Sequence, residues 1–296
     1  MTQRKYPSVV AVFAAMLLST ATGSFAQSTC DGAETVNPGV LYVAFNGDMP
    51  GTSLKDDQLA GIDGEIMMAV AKKLGIPVEP QLMEWAAEIE SVKSGRVDAM
   101  HGMMGWNVAR TEVIAMSDPI YFAGALLTQR KGAGITSMDQ LPGLRLGTGQ
   151  GFGWVPELQK IDPDLKLYDT SDAAVRDLIA GRVDVLFLDP PLIQFLATQQ
   201  PDLPIESIPV TDPYDPEFPD TTGKYQVVFG LSLNAPNLMK CVNDAIAELW
   251  ASCTNYEIAS SYGFSDKYWF TPPTENPRAG ADRPADWAYP QLGSCN

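Results

Sequence analysis

Apolar runs and alternating patterns divide the chain into short strands and amphipathic helices in regular succession. Residues 40–45, Val-Leu-Tyr-Val-Ala-Phe, predict a buried strand, followed by a loop at 46–59 rich in Gly, Pro and Asp. From Asp63, apolar Ile66, Val70 and Leu74 share one helical face, and Gly75 with Pro77 beyond it ends the helix. A strand at 78–82, a short helix at 86–93 and a strand at 99–104 complete a βαβαβ series. A second series starts with a strand at 125–129, continues with one at 144–148 and a glycine-rich turn at 147–153, and enters a helix from about Trp154. Ser171 is expected to cap the next helix, which turns Ala174, Val175, Leu178 and Ile179 inward and stops at Gly181. The Pro- and Asp-rich stretch 201–223 reads as a return crossing. A strand at 225–233 and a helix at 236–250 then supply apolar faces that the first unit needs to cover its sheet. The second unit is therefore inserted in the first through two crossings, which is hinge architecture. The expected division is lobe 1 at 34–123 and 224–270, lobe 2 with the crossings at 124–223, and a C-terminal tail at 271–296.

One tetrapeptide, Gly-Arg-Val-Asp, occurs twice, at 95–98 and 181–184, each time between a helical pattern and an apolar strand. The strand after the first copy leads to Arg110, and the strand after the second ends at Asp189. Ligands of α/β sheets bind outside the carboxyl ends of strands. A cation and an anion thus stand where a small zwitterion meets both.

Composition narrows the partners. Twenty Lys and Arg against 36 Asp and Glu give 296 residues a net charge of −16, which argues against nucleic acid or an anionic membrane surface. The start of the chain has Arg4 and Lys5, an apolar run from Val9 to Leu18, and Ser24-Phe25-Ala26 as a cleavage site, the three-part form of a signal peptide over residues 1–26. Export to the periplasm is therefore expected. In that oxidising compartment Cys30, Cys241, Cys253 and Cys295 are candidate disulfide partners, and their spacing matches no metal site. A helix between Cys241 and Cys253 would hold them about 18 Å apart, beyond the roughly 7 Å a disulfide allows. If all four pair, each terminal cysteine joins one of the helix cysteines and staples the tail to the body; free buried thiols are the alternative.

Several motifs in order resemble the family 3 extracellular solute-binding proteins, the polar amino-acid-binding components of ABC importers. They are Gly61-Ile62-Asp63, the helix end at 69–75, Ser94-Gly95-Arg96-Val97-Asp98, Arg110 nine residues before Pro119 in Met116-Ser117-Asp118-Pro119, and Ala180-Gly181-Arg182-Val183-Asp184 with Asp189. The resemblance spans about 40–270 and implies an α/β, two-lobed periplasmic-binding-protein (Venus flytrap) fold that closes on ligand and docks on an inner-membrane ABC permease. It implies that Arg110 grips a carboxylate through the parallel donors of its guanidinium. It implies that Asp189, held by Pro190-Pro191, accepts an ammonium. Trp85 stands where the family often places an aromatic against the ligand side chain; Phe45 and Met49 lie near a further clamp position. The plainer readings are a surface arginine at a helix start, a helix N-cap and a core aromatic.

The departures bear on the ligand. Met103 and Gly105 stand where the family has small hydroxyl residues, and Phe152 and Gly153 where it has a Thr pair. Side-chain hydrogen bonds are lost there, although a helix start after Gly151 offers backbone donors to an anion. Trp106, Phe152 and Trp154 make the expected cleft aromatic. The ligand class therefore extends from amino acids to apolar, aromatic or N-methylated zwitterions and organic acids, unless those aromatics only pack between lobes. His101, the single histidine, is expected to be a satisfied core residue, and the glycine run lacks the Lys-Ser/Thr of a phosphate loop. The leading expectation is a monomeric binding protein with no catalysis, cofactor or metal. Two alternatives share the fold: a cyclohexadienyl dehydratase-like enzyme with Asp189 or Glu84 as proton donor, and an accessory protein of a periplasmic dehydrogenase.

Overall fold

A computed structural model describes residues 1–2, 30, 32–150, 152–168, 170–210 and 213–295. The expected signal peptide, apart from its first two residues, lies outside the described residues. Strand β1 (Leu41–Phe45) is followed by a hairpin of β2 (Ser53–Lys55) and β3 (Gln58–Ala60), helix α1 (Ile62–Leu74), β4 (Val78–Leu82), α2 (Trp85–Lys93) and β5 (Ala99–Met100). Gly75 closes α1 at φ 69°, and its N–H and that of Ile76 take the last carbonyls. The chain then forms α3 (Val108–Thr111), β6 (Ala115–Met116) and β7 (Tyr121–Gly124). The second unit contains β8 (Leu126–Arg130), β9 (Leu146–Gly149), α4 (Val155–Ile161), β10 (Lys166–Tyr168), α5 (Ser171–Ile179), β11 (Val185–Leu188), α6 (Pro190–Gln199), β12 (Ile205–Pro209) and α7 (Pro219–Thr222). It returns through β13 (Lys224–Val227) to β14 (Gly230–Leu231), α8 (Pro236–Ala251) and α9 (Thr254–Ser261).

Two five-stranded sheets result, ordered β4-β1-β5-β14-β6 and β10-β9-β11-β8-β12. In each, three parallel strands continue into antiparallel neighbours. Between them the outgoing and returning chains, β7 and β13, pair antiparallel with each other, Tyr225 opposite Ala123 and Gln226 opposite Phe122. This is the two-lobed flytrap fold with one lobe inserted in the other. Leu41, Val43, Ile66 and Val70 are buried with Trp250 in the largest core, and fully burying such a side chain contributes roughly 1.5–3 kcal/mol.

The two Gly-Arg-Val-Asp copies share a physical role. Gly95 and Gly181 adopt φ of 67° and 69°, the left-handed turn that ends each helix. Each aspartate then ties a neighbouring strand: Asp98 accepts from the Tyr42 N–H at 2.7 Å, and Asp184 from the Arg145 N–H at 3.1 Å and its guanidinium at 2.7 Å.

Four expectations are corrected. The strand at 99–104 stops at Met100, because Met103 turns left-handed (φ 52°) with its N–H held by buried Asp63 at 2.6 Å. The cap of α5 is Thr170, which accepts from the Ala173 N–H, so the helix already includes Ser171. Within 201–223 the chain adds the edge strand β12, where Pro209 is tolerated. The single strand at 225–233 is two, β13 in the crossing and β14 in the first sheet.

The cysteines pair as Cys30–Cys241 and Cys253–Cys295, each with Cα atoms 5.8 Å apart. No described helix is long and apolar enough to cross a membrane.

Candidate functional site

A cavity of about 580 Å³ opens between the lobes. Arg110, Asp189, Trp85, Gly105, Trp106, Phe152, Gly153 and Met103, the eight residues expected from sequence to hold the ligand, line it together.

Asn107 caps α3 by accepting the Arg110 N–H at 2.9 Å, so the helix start fixes where the arginine side chain leaves the backbone. The guanidinium donates to the Gly105 carbonyl at 2.6 Å and lies 5.8 Å from the Trp85 ring centre. Trp85 thus supports the arginine while lining the cavity. No carboxylate of the described residues lies within 4.0 Å of this half-buried cation. Arg110 itself lines the cavity.

Asp189 sits at the N-cap of α6 without a capping bond; its Oδ2 accepts from the Tyr225 hydroxyl at 2.9 Å, while Oδ1 is shielded from solvent and has no protein partner. Burial, with Asp63 adding repulsion, raises its pKa to about 7 although the Tyr225 bond opposes this. Asp63, below the cavity, is likewise raised to about 6 by burial despite hydrogen bonds from Tyr121 and Met103.

Sequence reasoning missed Tyr225. A β-carbon on Gly105 would stand 3.3 Å from its ring, so this glycine makes room for the tyrosine whose hydroxyl reaches Asp189. Gly153 does the same for Asp220, whose carboxylate oxygen would be 2.9 Å from such a carbon. Lys224, also in the wall, donates to the Tyr268 and Thr271 carbonyls at 2.7 and 2.9 Å, and burial lowers its pKa to about 8. The aromatics divide. Phe152 and Trp154 meet edge to face at 5.0 Å, but the Trp154 indole is committed to buried Thr148 at 2.8 Å. The Trp106 indole donates to Asp282 of the tail at 3.2 Å.

Other sequence candidates stand apart from the cavity. Phe45 is in the core, stacked on His101 with ring centres 6.3 Å apart, and Met49 and Glu84 are exposed. His101 is buried as expected but not satisfied: neither ring nitrogen has a partner, and burial lowers its pKa to about 3.

Known proteins share this architecture. The L-cystine solute receptor of Neisseria gonorrhoeae, in its unliganded open conformation, superposes with a TM-score of 0.66 at 20% identity over 78% of this chain and 96% of that one, a likeness of fold. ABC transporter arginine-binding protein 1 of Escherichia coli (strain K12) is 25% identical over 257 residues, 85% of this chain and 97% of that protein. The histidine-binding periplasmic protein of the same strain is 27% identical over 71% of this chain and 82% of its own length. YxeM of Bacillus subtilis (strain 168) is 28% identical over 182 residues, and the match spans 66% of its length. With residues 41–265 matching the family model, the chain belongs to the bacterial extracellular solute-binding proteins, family 3.

Proposed function

We propose that this protein is the periplasmic, monomeric capture component of an ABC importer and holds an amino acid or related carboxylate-bearing zwitterion between its lobes. One observation carries the reading: Arg110, with no carboxylate within reach, and Asp189, with an unpartnered Oδ1, line one cavity from the two lobes. A ligand carboxylate takes the guanidinium fork, and its ammonium takes Asp189 Oδ1. Relatives named as arginine-binding and histidine-binding proteins agree with a ligand carrying both charges. Trp106 and Phe152 flank the remaining space and suit an apolar or cationic side chain.

A thermal-shift screen of amino acids, betaines and organic acids tests this. A ligand at 100 times its dissociation constant adds about 2.7 kcal/mol of stability. Arg110→Ala is expected to remove that shift while its unliganded melting temperature stays near wild type. Ligand affinity unchanged by this substitution refutes the assignment.

A second reading is favoured by the Asp189 pKa of about 7, because a carboxyl still protonated near neutrality is equipped to act as a general acid. Incubation with prephenate or arogenate distinguishes the two. Aromatic product above a protein-free control would replace capture with dehydration.

A further inference from the structure

The tail from residue 271 lies wholly beyond the matched family region, which ends at 265, yet it reaches the cavity wall. Its Arg278 is 0% exposed, unusual for a charge this long. The side chain donates to the Ser117 carbonyl at 2.7 Å and the Met116 carbonyl at 3.0 Å, and pairs with Asp282 at 2.6 Å. Its guanidinium lies near two indoles, 5.6 Å from the Trp106 ring centre and 5.5 Å from that of Trp287. Asp282 in turn accepts the Trp106 indole N–H. Trp106 is therefore contacted by one ion pair of the tail through both its ring and its N–H.

The backbone is tied at the same place. The Trp106 N–H donates to the Gln226 carbonyl at 2.8 Å, and the Gln226 side chain donates to the Tyr289 hydroxyl of the tail at 3.1 Å. Asp282 is shared with Arg283 at 3.3 Å, and Arg283 pairs with Asp118 at 2.9 Å, so the buried arginine sits in a small charge network whose disruption would strand its charge. Trp106 is joined to that network.

We propose that residues 271–296 form part of the recognition apparatus, with Asp282 and Arg278 acting as positioning residues that fix the Trp106 indole in the cavity wall. The placement of the ring sets the size and shape of the space left for the ligand side chain. This consequence for recognition rests on the capture reading; the positioning itself does not.

The test uses the full-length protein labelled with 5-fluorotryptophan, whose six fluorine resonances include one assigned to Trp106 by its loss in Trp106→Phe. In Asp282→Ala the Trp106 resonance is expected to shift and to become accessible to a soluble gadolinium chelate, while those of Trp85 and Trp154 stay in place. Asp282→Asn keeps an oxygen acceptor and is expected to retain the wild-type position. A Trp106 resonance unmoved in Asp282→Ala overturns the proposal, and movement of all six together also overturns it by showing a structural role alone. Titration with L-arginine and L-phenylalanine reads the consequence: Asp282→Ala is expected to change the ratio of the two dissociation constants at least threefold in the same direction as Trp106→Phe, with no further change in the double variant. An unchanged ratio overturns it. A wild type that binds neither compound counts against the capture of these amino acids, and the fluorine result then decides on the tail alone.

Discussion

If Asp189 takes a ligand ammonium as proposed, its raised pKa makes capture a proton-release reaction. In the free protein burial and nearby Asp63 keep the carboxyl half protonated near pH 7, while Oδ2 accepts from Tyr225. An ammonium arriving at Oδ1 favours the ionised form, so binding drives the proton off. Below pH 7 that proton must be removed first, and affinity falls as pH falls. With a pKa of about 7, the ionised fraction at pH 5 is about one hundredth, so the dissociation constant is expected to be about 100-fold weaker than at pH 8, a cost of about 2.7 kcal/mol. At pH 6 about nine tenths of a proton should leave per ligand bound. Calorimetric titration of an amino-acid ligand in two buffers of different ionisation enthalpy measures both quantities, with Asp189→Asn as the variant that loses the slope and Asp63 left intact. Affinity flat from pH 5 to 8, or an undiminished slope in Asp189→Asn, would refute the reasoning. An opposite slope would identify an organic acid without an ammonium, which prefers the protonated carboxyl.

Other predictions concern stability. Glu88 is fully buried with both oxygens unpartnered, and burial together with Asp48 raises its pKa to about 8. The native state therefore keeps a proton that the unfolded chain has lost, and stability falls as pH rises from about 4.5 to about 8, by up to about 1.4 kcal/mol per pH unit. Glu88→Gln is expected to flatten that slope and exceed wild type at pH 8 in urea unfolding; parallel profiles for the two proteins would contradict this. The Cys253–Cys295 bridge closes a loop with sequence separation 42, so Cys295→Ser is expected to lower stability by about 4 kcal/mol in the chain-entropy picture. A loss below about 1 kcal/mol would mean that the tail is held by its packing alone.

Local chemistry explains why much of this was legible in sequence. Helix stops at Gly75, Gly95 and Gly181 follow from a left-handed turn that glycine adopts freely. The convergence of Arg110 and Asp189 follows from where strands end in an α/β sheet. Helix length alone excluded a Cys241–Cys253 bridge, which left the pairing with Cys30 or Cys295 to be resolved in space. What escaped depends on distant partners. Val227, Val228, Phe229 and Leu231 read as one apolar strand, because periodicity does not mark where a chain leaves one pairing for another. Tyr225 was hidden by that same reading, as the first residue of a strand with nothing to mark it as facing a cavity. The tail has no period, and Arg278 becomes buried only because two carbonyls, one aspartate and two indoles from separate parts of the chain surround it.

The paired crossing strands constrain how such a molecule moves. Two separate linkers would let the lobes twist and slide as well as swing. Here Phe122 and Gln226, and Ala123 and Tyr225, belong to one ladder, so neither strand bends without carrying the other. The ladder ends with Gly124 opposite Lys224, and a β-carbon on Gly124 would meet the carbonyl of adjoining Gly223 at 2.8 Å. A ribbon of this kind resists twisting and sliding more than bending, so its few backbone bonds bear on any swing of one lobe against the other.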